Sequence, residues 1–158
     1  MSGIAKAIDV ANFLLFLKEH DPRGLEISNL KLQKLLYYSQ GYNLALKGNP
    51  LFDEPIEAWK YGPVVREVYH KFKIYGDLDI KCTVDWPEIT LEEEQMKIIG
   101  QVWSRLGEIS AGTLVDMTHS ETPWLNAWYF SQDKEISRES ILKYFKKNLP
   151  QELLALSR

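Results

Sequence analysis

Three histidines, one cysteine and scattered carboxylates are what the sequence offers for bond-making chemistry. His20, His70 and His119 include no pair at the i, i+4 spacing that sets two zinc ligands on one helical face, and Cys82 has no second cysteine to share a metal with. No metal site is expected. Cys82 with His119 would make a nucleophile and a base, but no motif surrounds the cysteine, which falls on the apolar parity of its segment. A small buried hydrophobe is its expected role. The densest polar run is His119-Ser120-Glu121-Thr122-Pro123-Trp124. His119 and Glu121 could exchange a proton, which would make an enzyme centred on that pair. The alternative is an ordered connection between two helices, in which Thr122 caps, Pro123 starts, Trp124 anchors, and His119 or Glu121 bonds to backbone. A general base needs a positioned nucleophile, and none is visible. A structural role is therefore expected for His119, Glu121, Pro123 and Trp124, and no catalysis. The glycines are isolated, so no phosphate cradle and no cofactor are expected. Glu92-Glu93-Glu94 and the set Lys143, Lys146, Lys147 sit at opposite ends of predicted helices, where each complements the helix dipole.

The elements that must position these groups read as mainly helical. The chain has 158 residues, 45% hydrophobic and 26% charged, which suits one folded domain spanning 1–158. Its 19 basic and 22 acidic side chains leave a net charge of −3, a balance that argues against a phosphate-coated partner. A nucleic-acid binder would have to use local lysine faces, Lys31/Lys34 and Lys71/Lys73. A lone cysteine fits a reducing cytoplasm, and no apolar run approaches the ~20 residues that span a bilayer. The protein is expected to be soluble and cytoplasmic, without a membrane partner.

Helical spacing predicts a first helix from about residue 2 to residue 19, with Ile4, Ala7, Ile8, Ala11, Leu14, Leu15 and Lys18 on one face. Asp21-Pro22-Arg23-Gly24 ends it. Ser28 caps a second helix with the stripe Leu32, Leu35, Leu36, Ser39, Tyr42 and Leu46, and Lys31 and Lys34 on the other side. Gly48 closes it, and Gly41 inside it invites close approach of a neighbour. Residues 56–61 alternate as a short strand, and Pro63 opens a third helix that Gly76 ends. Residues 77–87 show period two and predict an extended segment that pairs with 56–61 as a small accessory sheet. Thr90 and Glu93 match a capping box for a helix to about Leu106. Ser110 caps a short helix, Thr122-Pro123 opens another, and Ser137 caps a final strong one that Pro150 stops, with a frayed turn after it. The expected fold is a compact multi-helix domain with a small accessory β-hairpin or extended insertion.

Two stretches together resemble a known family. They are LKLQKLLYYSQG at 30–41, continuing through LFDEPIEAWKYGPV at 51–64, and THSETPW at 118–124. They are similar to the Panacea domain, also called the SocA-like or phage-associated GepA-type family, over about residues 5–130. The resemblance implies an antitoxin of a bacterial or prophage toxin–antitoxin pair that neutralises a co-encoded toxin by direct binding. Adaptors that deliver a partner to a cellular protease also occur in that family, so a protease is a further implied partner. Some members carry an added helix-turn-helix domain, for which this chain has no spare segment.

Trp59, Lys60, Tyr61, Gly62 and Pro63 join rigid aromatics to a fixed turn and are the expected partner-binding residues, because such groups lose little entropy on docking. Alternation sets Trp59 and Tyr61 on one side and Ala58 and Lys60 on the other. It leaves open whether the two aromatics meet a partner or pack the core beside the second helix.

Overall fold

The computed structural model describes residues 3–85 and 88–157. Helix α2 (Asn29–Lys47) is its axis. It is packed by α1 (Ala7–Glu19), α3 (Arg66–Phe72), α4 (Glu93–Leu106), α5 (Ala111–His119), α7 (Arg138–Asn148) and the terminal 3-10 segment Gln151–Ser157. Surrounded in this way, α2 has no broad solvent face. Lys31 and Lys34, expected opposite the apolar stripe, are buried with it. That removes one of the two lysine faces a nucleic-acid binder would have used. The helix ends follow the sequence reading: Ser28 Oγ accepts from the Lys31 amide at 3.3 Å, and Gly48, at φ 77°, closes the other end.

Close packing at Gly41 is the other expectation that holds. A Cβ there would lie 2.3 Å from Cδ2 and Cε2 of Phe145, so the α7 ring rests on bare α2 backbone. The same ring meets Tyr37, Tyr38 and Tyr42 edge-on at centroid distances of 5.5, 5.8 and 6.0 Å.

Helix α1 starts at Ala7, later than the spacing predicts; Ser2 lies outside the described residues. The Ala5 amide donates to the Leu51 carbonyl, and the Ala7 amide donates to Glu54 Oε2, both at 2.8 Å. These bonds hold the preceding backbone extended along the 51–54 segment, and Ile4, expected on the buried face, is 49% exposed.

The sheet is antiparallel, in the order β2-β1-β3. Strand β1 (Ile56–Trp59) pairs with β2 (Gly62–Val64) through a two-residue turn, Lys60-Tyr61, and with β3 (Glu135–Ile136) on its other edge. Pro63 is thus a strand residue opposite Ala58, not the first residue of a helix; α3 begins after Val65. Residues 77–85 form no strand and do not pair with β1, whose second edge β3 occupies. Their period-two signal breaks at Leu78, which is exposed, while Ile80 is buried and bonded to the Ile27 carbonyl. Trp86 and Pro87, the end of that predicted segment, lie outside the described residues. Asp79 fixes the loop by accepting from the Ile27 amide and the buried Lys18 ammonium.

Helix α4 starts two residues later than Thr90 and Glu93 suggest: Gln95 Oε1 accepts from the Glu92 amide at 2.8 Å, and Glu92 is the cap. In α6 (Thr122–Phe130) the cap position belongs to Glu121, with Thr122 already helical. No helix of the described residues is long and apolar enough to cross a membrane.

Replacing Gly41 by Ala would gain helix propensity of up to ~1 kcal/mol but force Phe145 out of place. A net loss of about 1–3 kcal/mol is expected in urea unfolding, as for other overpacked cores. Adding Phe145→Leu should recover part of that loss, so the pair is non-additive.

Candidate partner-binding site

The two motifs that the sequence keeps apart meet at the β1–β2 turn. Four of its backbone groups are held by side chains from both. Trp124 Nε1 donates to the Trp59 carbonyl at 2.8 Å, and His119 Nε2 donates to the Lys60 carbonyl at 2.9 Å. From α2, Lys34 Nζ donates to the Pro63 carbonyl at 3.1 Å, and Gln33 Oε1 accepts from the Val65 amide at 2.9 Å. Gly62 sits at φ 107°, a conformation other residues rarely adopt. A Cβ there would lie 2.6 Å from Lys34 Cε and 2.8 Å from Thr118 Oγ1. Glycine is required both for the turn and for the lysine beneath it.

So clamped, the turn presents its side chains unequally. Ala58 points into the core. Trp59 is half-buried: its ring meets Tyr69 edge-on at 5.0 Å, lies under the Arg66 guanidinium at 5.8 Å, and donates from Nε1 to Glu57. Tyr61 is 58% exposed, with the Lys60 ammonium 5.5 Å from its ring centroid. The alternation separates core from surface only within β1, where Ala58 is buried and Trp59 half-buried; in the turn both Lys60 and Tyr61 are exposed, so Tyr61 does not pack the core. Gly62 and Pro63 are buried and shape the turn from within.

Lys34 is wholly buried, and its one hydrogen bond goes to a carbonyl. Desolvation lowers its pKa to about 7. Glu121 is also buried and accepts from Tyr37 Oη and Tyr38 Oη, each at 2.8 Å. Burial raises its pKa above the ordinary carboxylate value, and the tyrosine bonds work against that rise. Glu121 and His119 are thus engaged with different partners, the first with phenols and the second with a backbone carbonyl. His119 also packs on Trp124 at 4.3 Å, and Trp124 stacks on Trp128 at 5.3 Å. Pro123 is buried at the start of α6. Cys82 is half-buried, with Sγ 3.4 Å from the Val84 carbonyl. Among the described residues no group of three or more His, Cys, Asp or Glu could hold a metal ion.

Sequence reasoning named the turn and the second motif but missed Gln33, Lys34 and Thr118. The signal was present: a lysine and a glutamine inside a helix whose neighbours are Leu32, Leu35 and Leu36.

Comparison with known proteins places residues 32–125, more than half of the chain, in the match to the family described as Antitoxin SocA-like, Panacea domain. Over 126 residues the chain is 36% identical to a protein called Antitoxin SocA from Caulobacter vibrioides (strain NA1000 / CB15N), covering 73% of this chain and 66% of that relative's length. No solved structure matches the chain.

Two predictions follow from the buried ionisable groups. The unfolded chain holds the Lys34 proton up to its ordinary pKa of 10.5, whereas the fold releases it near 7. Between those values the unfolded state binds more protons, so this group's contribution to stability rises with pH and is lost as pH falls towards 7. Lys34→Met should stabilise by roughly 2 kcal/mol at neutral pH, as other apolar replacements of buried charges do. The gain should shrink steadily to pH 10, when urea unfolding of both proteins is compared. Glu121→Ala should cost about 2–4 kcal/mol, because two buried phenols lose their acceptor. Glu121→Gln should cost under about 1 kcal/mol, since one acceptor remains. With a raised folded pKa, Glu121 contributes stability that is full below its ordinary value of 4.5 and declines above it. The Gln variant should therefore gain on wild type as pH rises.

Proposed function

Because the chain belongs to the Antitoxin SocA-like, Panacea domain family, we propose that it is the antitoxin of a bacterial or prophage toxin–antitoxin pair and neutralises a co-encoded toxin in the cytoplasm by binding it directly. Residues 1–158 act as one binding unit. The observation that carries this reading is the clamped turn. Its backbone is fixed by His119, Trp124, Gln33 and Lys34, so Tyr61 and Lys60 are offered to solvent on a support already ordered. An aromatic anchor of that kind loses little conformational entropy on docking. Of the polar groups of THSETPW, His119 and Trp124 hold the turn and Glu121 accepts from Tyr37 and Tyr38, so support of a binding surface, not catalysis, is the role that fits them.

Co-expression with the adjacent open reading frame tests the proposal. That gene alone should arrest growth, and this chain should restore growth and co-purify with its product. Tyr61→Ala should weaken the complex by ~30-fold or more, equivalent to about 2 kcal/mol, as interface aromatics do. Phe130→Ala, at an exposed aromatic on α6, should leave it unchanged. A neighbouring gene that is harmless alone and whose product never associates would sink the proposal.

A further inference from the structure

Beside the turn lies an apolar groove of about 320 Å³ between the start of α2, the β1–β2 turn and the 3-10 segment Lys73–Tyr75. Leu30, Trp59, Val64 and Tyr69 form its walls, and Tyr61 stands at its edge. Next in sequence to the lining residues Lys73 and Asp77, Ile74 is 89% and Leu78 68% exposed. Side chains of a short segment fit a space of this size; a folded domain does not.

Two features of the rim define what would enter. Lys60 and Lys73 both line the groove, and neither has a carboxylate partner among the described residues. One acid, Asp77, shares the lining. The polar groups at the base are already satisfied: Asn29 Nδ2 donates to the Tyr69 carbonyl, and Gln33 Nε2 donates to Asn29 Oδ1. Strand addition at β2 is closed, because Lys34 and Gln33 already take the Pro63 carbonyl and the Val65 amide. Entry by side chains remains.

We propose that this groove receives a short partner segment carrying large apolar side chains flanked by Asp or Glu, the apolar groups filling the groove and the carboxylates meeting Lys60 and Lys73. The assignment rests on the antitoxin reading for the identity of the partner, but not for the chemistry of the segment.

The probe is a phage-displayed library of short random peptides, panned on the full chain. Recovered peptides should combine acidic with large apolar residues. Their affinity should fall at least about tenfold on Lys60→Glu with Lys73→Glu, and fall with salt, as rim charge pairs do. Peptides with Lys in place of their acids should bind that charge-reversed variant better than wild type. Both lysines are exposed, so the variant keeps its core, which far-ultraviolet circular dichroism verifies. The proposal is overturned if no peptide is recovered, if the peptides are basic, or if they bind the variant equally. It is also overturned if light scattering shows self-association that the variant abolishes, which would assign the groove to a second copy. A parallel neutralisation assay separates the two readings. If the adjacent gene product is neither harmful nor bound, the antitoxin reading fails while the peptide result still decides the groove. If wild type and variant neutralise it equally, the groove assignment fails and the antitoxin reading stands.

Discussion

A helix buried on every side cannot leave its polar side chains without partners. An unpaired buried donor or acceptor costs about 1–3 kcal/mol, and a charge costs more. Helix α2 carries Lys31, Gln33, Lys34, Gln40 and Asn43 into the interior. Each must find a backbone group brought to it by another part of the chain. Gln40 does so twice, donating to the Phe52 carbonyl and accepting from the Leu51 amide, both at 2.7 Å. Lys31 reaches the Gly107 carbonyl at the end of α4, and Asn43 reaches Asn49. The loop after α2, the β1–β2 turn and the end of α4 are thereby placed by the polar residues of one helix, not by apolar packing alone.

The same constraint explains why two sequence motifs so far apart occur together. The first contributes Gln33 and Lys34 to one side of the turn, and the second contributes His119 and Trp124 to the other. Glu121, between those two residues in sequence, accepts from Tyr37 and Tyr38 on α2, so the second motif is fastened to the first. Gly62 and Gly41 mark where the fit leaves no room for a methyl group, over Lys34 in one case and under Phe145 in the other. A lysine whose pKa burial lowers to about 7 is a costly way to bond one carbonyl. Its retention makes sense if the position of that carbonyl, and with it the turn, matters more than the last increment of stability.

The helices were legible because their signals are local. Ser28, Ser110 and Ser137 cap as expected, Gly48 closes α2, and the apolar spacing of 29–47 needs no partner to be read. The strands were half legible. Alternation found 56–59, but it could not find β3, two residues long, and it misread 77–85, where Lys18 and Asp79 hold a loop. Pro63 carries the same local cue for a helix start as for a strand residue that needs no amide, and tertiary bonds to Gln33 and Lys34 decide between them. Lys31 and Lys34 were misplaced because charge normally marks a solvent face. Only the number of elements around α2 shows that no such face exists.

Support of the turn and its exposed surface are therefore carried by different residues. Those that fix the turn point inward and are saturated with intramolecular bonds. The side chains at its rim, those of Lys60, Tyr61 and Lys73, are exposed and among the described residues make no hydrogen bond or ion pair beyond the ammonium–ring contact of Lys60 with Tyr61. A change at the rim alters shape and charge without disturbing a buried partner, whereas truncation of Glu121 leaves the buried Tyr37 and Tyr38 hydroxyls without their acceptor. A fold divided in this way tolerates substitution at its exposed rim and ties the geometry of the turn to the residues beneath it. That division is the physical condition under which one clamped scaffold can carry surfaces of differing shape and charge.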